Sequence, residues 1–258
     1  MSETFIDIRG ARLHVRRAGK GASVLFLHGV QGIPGWLPSL ERLAERFAVL
    51  APDHPGFGRS DAPDWIDDVA DLSFFYLDLL DTLDVKDVHV VGVSLGGWIA
   101  LEMAIRSTAR IKSLTLAGAA GIRVERVARG DMFIGTPAEL GRLLFADEQV
   151  ATSWAAQWQA SPVLQEIYDR NRHAAAKYTW QPRLYNPKLA KWLHRIDVPT
   201  HVIWGESDRL IPPAHAAALK ELIRGAQVTM LPGGHLLPIE RPDLFADTVS
   251  QFIERLRP

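Results

Sequence analysis

Gly92-Val93-Ser94-Leu95-Gly96-Gly97 ends one apolar run, Val88–Val93, and opens a second, Leu95–Ile105, whose apolar residues recur with helical period. Strand, sharp turn and helix in that order give the Gly-x-Ser-x-Gly pattern its meaning. The reason is steric. A serine on so tight a turn takes strained backbone angles, and Gly92 and Gly96 leave room for the two chain segments to pass closely. The helix N-terminus adds its dipole and a free Leu95 N–H beside the hydroxyl. The plain alternative is an ordinary glycine-rich turn with an incidental serine. In this setting Ser94 is the candidate nucleophile.

The chain on either side repeats the same alternation. Short continuous apolar runs occur at Ser23–Leu27, Phe47–Ala51, Ile111–Ala117, Thr200–Trp204 and Ala226–Leu231. Runs of this kind suit strands buried on both faces, as in a parallel sheet. Residues 4–9 and 12–17 alternate around Gly10-Ala11 and read as a hairpin. Helical periods fill the gaps at Trp36–Phe47, Val69–Leu83, Pro213–Ile223 and Pro242–Leu256, with prolines where helices open. Strands alternating with helices predict a doubly wound α/β sheet. Residues 121–185 break the pattern. Ala138–Phe145, Gln149–Gln159 and Pro162–Ala176 look helical, and no clear strand occurs there. The expected division is a core of residues 1–120 and 186–258, with 121–185 inserted as a helical lid.

A serine hydroxyl is a weak nucleophile and needs a base. His235 lies in Pro232-Gly233-Gly234-His235, just beyond the last strand, where a loop can reach the top of the sheet. His14, His89, His173, His194, His201 and His215 sit in hairpin, helix or strand patterns and are weaker candidates. The base needs an orienting carboxylate. Asp208 follows the run ending at Trp204, with Glu206 as its rival. An oxyanion needs two backbone donors. Leu95 N–H is one, and Val30 N–H in His28-Gly29-Val30-Gln31-Gly32 is the other. His28 holds that loop by hydrogen bonds rather than doing chemistry.

These residues resemble the α/β-hydrolase superfamily in its compact, lid-bearing form. The resemblance covers nearly the whole chain. It runs through His28-Gly29, Asp53-His54-Pro55-Gly56-Phe57-Gly58-Arg59-Ser60, the Ser94 turn, Gly205-Glu206-Ser207-Asp208 and Gly234-His235. It implies a mostly parallel eight-stranded sheet and a Ser94, His235, Asp208 triad in the chain order of that fold. It also implies that Asp53, His54 and Arg59 shape a loop beneath the site. Dehalogenases and epoxide hydrolases of the superfamily carry Asp where Ser94 stands, so both are disfavoured. Members that cleave carbon–carbon bonds in ring-opened aromatic diketones usually carry Asn before the serine and a Gly-Pro-Gly-like oxyanion loop. Val93 and Val30-Gln31-Gly32-Ile33-Pro34-Gly35 lower that reading without removing it. Peroxide-dependent side chemistry and a ligand receptor with little turnover remain further alternatives. A serine carboxylesterase is the expected activity.

The bulk numbers agree with a small-molecule enzyme. The chain has 258 residues, 47% of them hydrophobic, enough for one large domain with a sizeable core. Charge is balanced at −1 with no long basic stretch, so nucleic acid is not an expected partner. There is no Cys, which removes disulfides and thiolate chemistry together. The nine His carry no metal-ligand spacing, and no metal or cofactor is implied. No signal peptide or membrane-length apolar run is visible, which predicts a cytoplasmic protein. The expected partner is a small ester with an apolar acyl or alcohol group, and homodimerisation is left open. Trp154, Trp158, Tyr168, Tyr178, Trp180 and Tyr185 fall in the insertion. They read first as lid core and second as pocket wall, as do Trp36 and Trp98.

Overall fold

The computed structural model describes residues 1–256, with Gln159 described by its main chain alone. Eight strands form one sheet: β1 (Ser2–Ile8), β2 (Ala11–Ala18), β3 (Ser23–Leu27), β4 (Ala48–Pro52), β5 (Val88–Val93), β6 (Ile111–Ala117), β7 (Thr200–Gly205) and β8 (Gln227–Leu231). Their spatial order is β1-β2-β4-β3-β5-β6-β7-β8. β1 pairs with β2, and β2 with β4, antiparallel. All pairings from β4 through β8 are parallel. β5 and β7 are buried at every residue, as their mostly apolar runs suit parallel strands covered on both faces. The β1–β2 hairpin turns on two residues, Arg9 and Gly10, at φ 54° and 83°. Positive φ at both turn residues matches the twist of the strands. Ala11 therefore belongs to the second strand, opposite Ile8.

Six helices flank the sheet: α1 (Pro38–Ala44), α2 (Val69–Thr82), α3 (Leu95–Arg106), α7 (Ala214–Leu222), α8 (Leu237–Glu240) and α9 (Pro242–Arg255). Three more, α4 (Pro137–Leu144), α5 (Glu148–Gln159) and α6 (Pro162–Thr179), lie between β6 and β7 with a short 3-10 turn at Ala190–Arg195. Helix α1 is shorter than the period over Trp36–Phe47 predicts. Leu37 precedes a proline and takes extended angles, φ −73° and ψ 146°, so the helix cannot start before Pro38. Helix α3 is buried on every side from Leu95 to Ala104. The inserted stretch opens and closes on one point: Gly121 bridges Tyr185, and Gly121 O accepts Asn186 N at 2.9 Å. Among the described residues no helix is long and apolar enough to cross a membrane.

Candidate active site

Ser94 sits between β5 and α3 at φ 54° and ψ −113°. Such a positive φ is costly for a residue with a Cβ and persists only where the surroundings over-determine it. Here they do. Ser94 N donates to Ala117 O at 2.9 Å, and Ser94 O accepts from Trp98 N at 3.1 Å and Ala120 N at 3.0 Å. The neighbouring glycines are steric necessities. A Cβ on Gly92 would stand 2.4 Å from Gly96 O, and one on Gly96 would stand 2.0 Å from Leu27 O. The turn is thus wedged between the ends of β3 and β6.

His235 lies in the loop after β8. Its Nδ1 is 2.8 Å from Asp208 Oδ2, and both side chains are fully buried. A carboxylate accepts, so Nδ1 carries the proton and Nε2 keeps its lone pair. Nε2 is buried and has no hydrogen-bond partner among the described residues. Asp208 is itself fixed, because its Oδ1 accepts Leu210 N at 3.0 Å and Ile211 N at 2.8 Å. Glu206, the rival acid, is exposed. The strand-end segment after β6 brings the two halves together. It bonds Ser94 through Ala117 and Ala120, and a Cβ on Gly118 would stand 3.1 Å from His235 Nδ1. Gly118 is also at φ 52°, a conformation that side chains strain to adopt, so any other residue there would be strained and would press on the imidazole.

The loop after β3 closes the other side. Gly32 N donates to Gly29 O at 3.0 Å, which leaves Val30 and Gln31 at the centre of a tight turn. A Cβ on Gly29 would stand 3.2 Å from Ser94 Cβ. Neither Val30 N nor Leu95 N donates to an acceptor among the described residues. His28 pins this loop. Its Nε2 accepts from His54 N at 3.0 Å, so its Nδ1 must donate to Gly29 O at 2.6 Å. His54 Nε2 donates back to His28 O at 2.9 Å, and Tyr76 O–H donates to His54 Nδ1. Burial holds the His28 ring down to about 4, against smaller opposing effects of Asp53 and Gly29, and holds His54 well below its ordinary value. Both rings are neutral at pH 7. Asp53 lies beneath them, bonded to His14 at 2.9 Å, Arg16 at 2.7 Å and Arg59 N at 3.0 Å. Burial raises its carboxyl, but His14 and Arg16 outweigh that and hold it well below the usual carboxylate range. Arg59 extends outward to Glu3.

Three residues that the sequence did not point to complete the scaffold. Asn171, buried in α6, donates through Nδ2 to Gln31 O at 2.8 Å and accepts Gly58 N through Oδ1 at 2.8 Å. Its partners lie 140 and 113 residues away, so no local pattern could reveal it. Glu240 in α8 takes Gly234 N at 2.6 Å on one oxygen, and Ala146 N and Asp147 N on the other. Leu144 O, at the end of α4, accepts His235 N at 2.7 Å. Gln31, within the turn itself, has a buried Oε1 with no partner among the described residues. The inserted helices therefore hold both the Val30 loop and the His235 loop.

The aromatic residues divide. Trp154, Trp158 and Tyr168 pack on one another, with ring centroids 6.1 Å and 4.9 Å apart along the series. Tyr178 O–H donates to Pro55 O at 3.2 Å, and Trp180 is half-exposed. Trp98 is buried against α3, with Nε1 on Glu102. No group of three or more His, Cys, Asp or Glu that could hold a metal ion occurs among the described residues.

A family model described as alpha/beta hydrolase fold matches residues 22–242. The chain is 30% identical to 2-hydroxymuconate semialdehyde hydrolase of Pseudomonas sp. (strain CF600), over 95% of this chain and 91% of that protein. Its fold superposes on meta-cleavage product hydrolase from Pseudomonas fluorescens IP01 with a TM-score of 0.81 at 25% identity, covering 98% of each chain. It also superposes on an esterase from Exiguobacterium antarcticum with a TM-score of 0.78 at 22% identity, covering 98% of this chain and all of that one. With eight strands in this order, a serine at the β5–α3 turn and a match that spans most of its length, the chain belongs to the alpha/beta hydrolase family.

Proposed function

We propose that this protein is a serine hydrolase of carboxylic esters, with Ser94 as nucleophile, His235 as base and Asp208 as its orienting acid. The observation that carries the reading is the paired His235 and Asp208, whose free Nε2 lies in the same strand-end cluster as the strained Ser94. His235 takes the Ser94 proton as Oγ attacks the ester carbonyl. Charge that develops on the carbonyl oxygen meets the N–H groups of Val30 and Leu95. The imidazolium returns the proton to the departing alcohol. Water, activated by the same ring, then hydrolyses the acyl-enzyme. In this reading residues 121–185 are the roof over the site, and the substrate carries an apolar acyl or alcohol group.

The test uses p-nitrophenyl acetate and butyrate with wild type and Ser94→Ala, together with a fluorophosphonate probe. Turnover and Ser94 labelling are expected in wild type, and a loss of about 10⁶-fold in kcat in the variant. An unlabelled Ser94 without turnover sinks the reading. Carbon–carbon cleavage is the second reading, favoured by the identity to 2-hydroxymuconate semialdehyde hydrolase. Hydrolysis of a ring-opened dienoate without esterase activity would select it.

Asn171 offers a separate check on the Val30 donor. Asn171→Leu removes the bond to Gln31 O and frees the turn. Misplacing a catalytic group by about 1 Å costs on the order of 10²-fold in rate. Steady-state kinetics with p-nitrophenyl butyrate should therefore show a kcat loss of about that size with a smaller change in KM. A variant with wild-type kcat would mean the turn holds its shape without α6.

A further inference from the structure

Gln31 is more than a spacer in the Val30 turn. Its side chain is 7% exposed, and its Oε1 is buried with no partner among the described residues. A buried amide oxygen left unbonded costs free energy, so such groups are rare and mark places where something else bonds them. The position is particular. A Cβ on Gly29 would have Ser94 Cβ at 3.2 Å and Gln31 Oε1 at 3.5 Å. Gln31 Oε1 and Ser94 thus both border the same glycine. The main chain that carries the amide is fixed by Asn171 on Gln31 O and by the Gly32 to Gly29 bond. The scaffold therefore holds the main chain from which the amide extends.

The space beside it is small and mostly apolar. A pocket of about 20 Å³ opens against Gln31, between His28, Phe26, Leu37, Val93 and Leu236, and both His28 ring nitrogens are already taken, by Gly29 O and His54 N. That volume has room for a group about the size of a water molecule. Apolar walls reject a charged group, which burial would penalise heavily. A methyl group would fit but would leave the amide oxygen unbonded. A hydroxyl fits and donates to Oε1. Because a hydroxyl also accepts, it satisfies the amide in either of its two orientations.

We propose that Gln31 is a specificity residue that binds a hydroxyl on the acyl side of the substrate, one or two carbons from the scissile carbonyl. The natural esters are then those of 2- or 3-hydroxy acids rather than plain fatty acids. This deepens the ester-hydrolase reading and rests on it. Sites built to bond a substrate hydroxyl discriminate against the analogue that lacks it, because the site is left with an unpaired buried group.

The experiment measures kcat/KM by proton release for methyl 2-hydroxybutyrate, methyl 3-hydroxybutyrate and methyl butyrate, with wild type, Gln31→Leu and Gln31→Met. Wild type should prefer one hydroxy ester over methyl butyrate by about 10- to 100-fold. In both variants that ratio should collapse to about one. A wild type with no hydroxyl preference overturns the proposal, and so does a preference that survives in a folded variant. Wild type is decisive even if both variants fail to fold. Fluorophosphonate labelling of Ser94, run in parallel, separates the two levels. If Ser94 is labelled and butyrate is turned over without hydroxyl preference, the assignment of Gln31 alone fails. If Ser94 is unlabelled and no ester is turned over, the hydrolase reading fails and takes this one with it.

Discussion

Asp208→Asn should lower kcat for p-nitrophenyl butyrate by about 10⁴-fold while leaving the protein folded. One proton decides the effect. In wild type the Asp208 carboxylate accepts from His235 Nδ1 at 2.8 Å, which keeps the proton on Nδ1 and the lone pair on Nε2. The other carboxylate oxygen accepts Leu210 N and Ile211 N. In the variant the amide oxygen stays with those two N–H donors, since an NH₂ group there would face two donors. The NH₂ then faces His235 and donates to Nδ1. The ring is forced into the opposite tautomer, with its proton on Nε2, and can no longer take one from Ser94. The fold loses little, because the shape and the number of bonds are unchanged. Circular dichroism should match wild type as kcat collapses. A variant that keeps more than about a tenth of wild-type kcat would show that Asp208 does not set the His235 tautomer.

Acid should weaken this protein earlier than carboxylate titration alone would. Burial holds the His28 ring down to about 4, against about 6.5 for an unfolded histidine. Between those values the unfolded chain binds a proton that the folded chain refuses, so stability falls as pH drops from about 6.5 to 4. The loss from His28 is about 3 kcal/mol. His54, held down by burial and by His28, adds loss in the same direction. Asp53 acts lower on the scale. Its folded value is depressed, so its contribution is present above about pH 4 and is lost only as pH falls further. A loss of 3 kcal/mol is large beside a total of about 5–15 kcal/mol. Urea unfolding at pH 7.5 and 4.5 measures it. His28→Gln keeps an acceptor for His54 N and does not titrate, so its stability should fall by about 2–3 kcal/mol less across that interval. An equal fall in wild type and His28→Gln would rule out His28 as the source.

The two predictions draw on different depths of the sequence. The fold was legible because its signals are local. The runs Ser23–Leu27, Val88–Val93 and Ile111–Ala117 coincide with β3, β5 and β6 to the residue. A strand buried on both faces reads as a mostly apolar run, and the ends of the run mark those of the strand. Edges were less sharp. Helix α6 runs to Thr179, beyond the Ala176 that periodicity suggests, and the four-residue α8 left no periodic trace at all. One turn is too short to show a period.

Ser94, Asp208 and His235 stood out as candidates in the sequence because each follows an apolar strand, where side chains reach the same edge of a parallel sheet. Asp208 and Glu206 follow the same strand two residues apart. In the structure, the turn after β7 buries Asp208 beside His235 and leaves Glu206 exposed.

By itself, then, the sequence determined where the candidate residues fall along the fold: the serine after β5, the acid after β7, the histidine after β8, and glycines where two chains pass closely. Only the tertiary structure decided what holds those loops still. Asn171, Leu144 and Glu240 belong to helices that the sequence assigned to a lid or did not resolve, and each acts on main-chain atoms far along the chain. The inserted helices are bonded to the Val30 and His235 loops rather than merely resting over the cleft. Backbone hydrogen bonds carry no side-chain signature at their receiving end, so a clamp of this kind is invisible until the chain is folded.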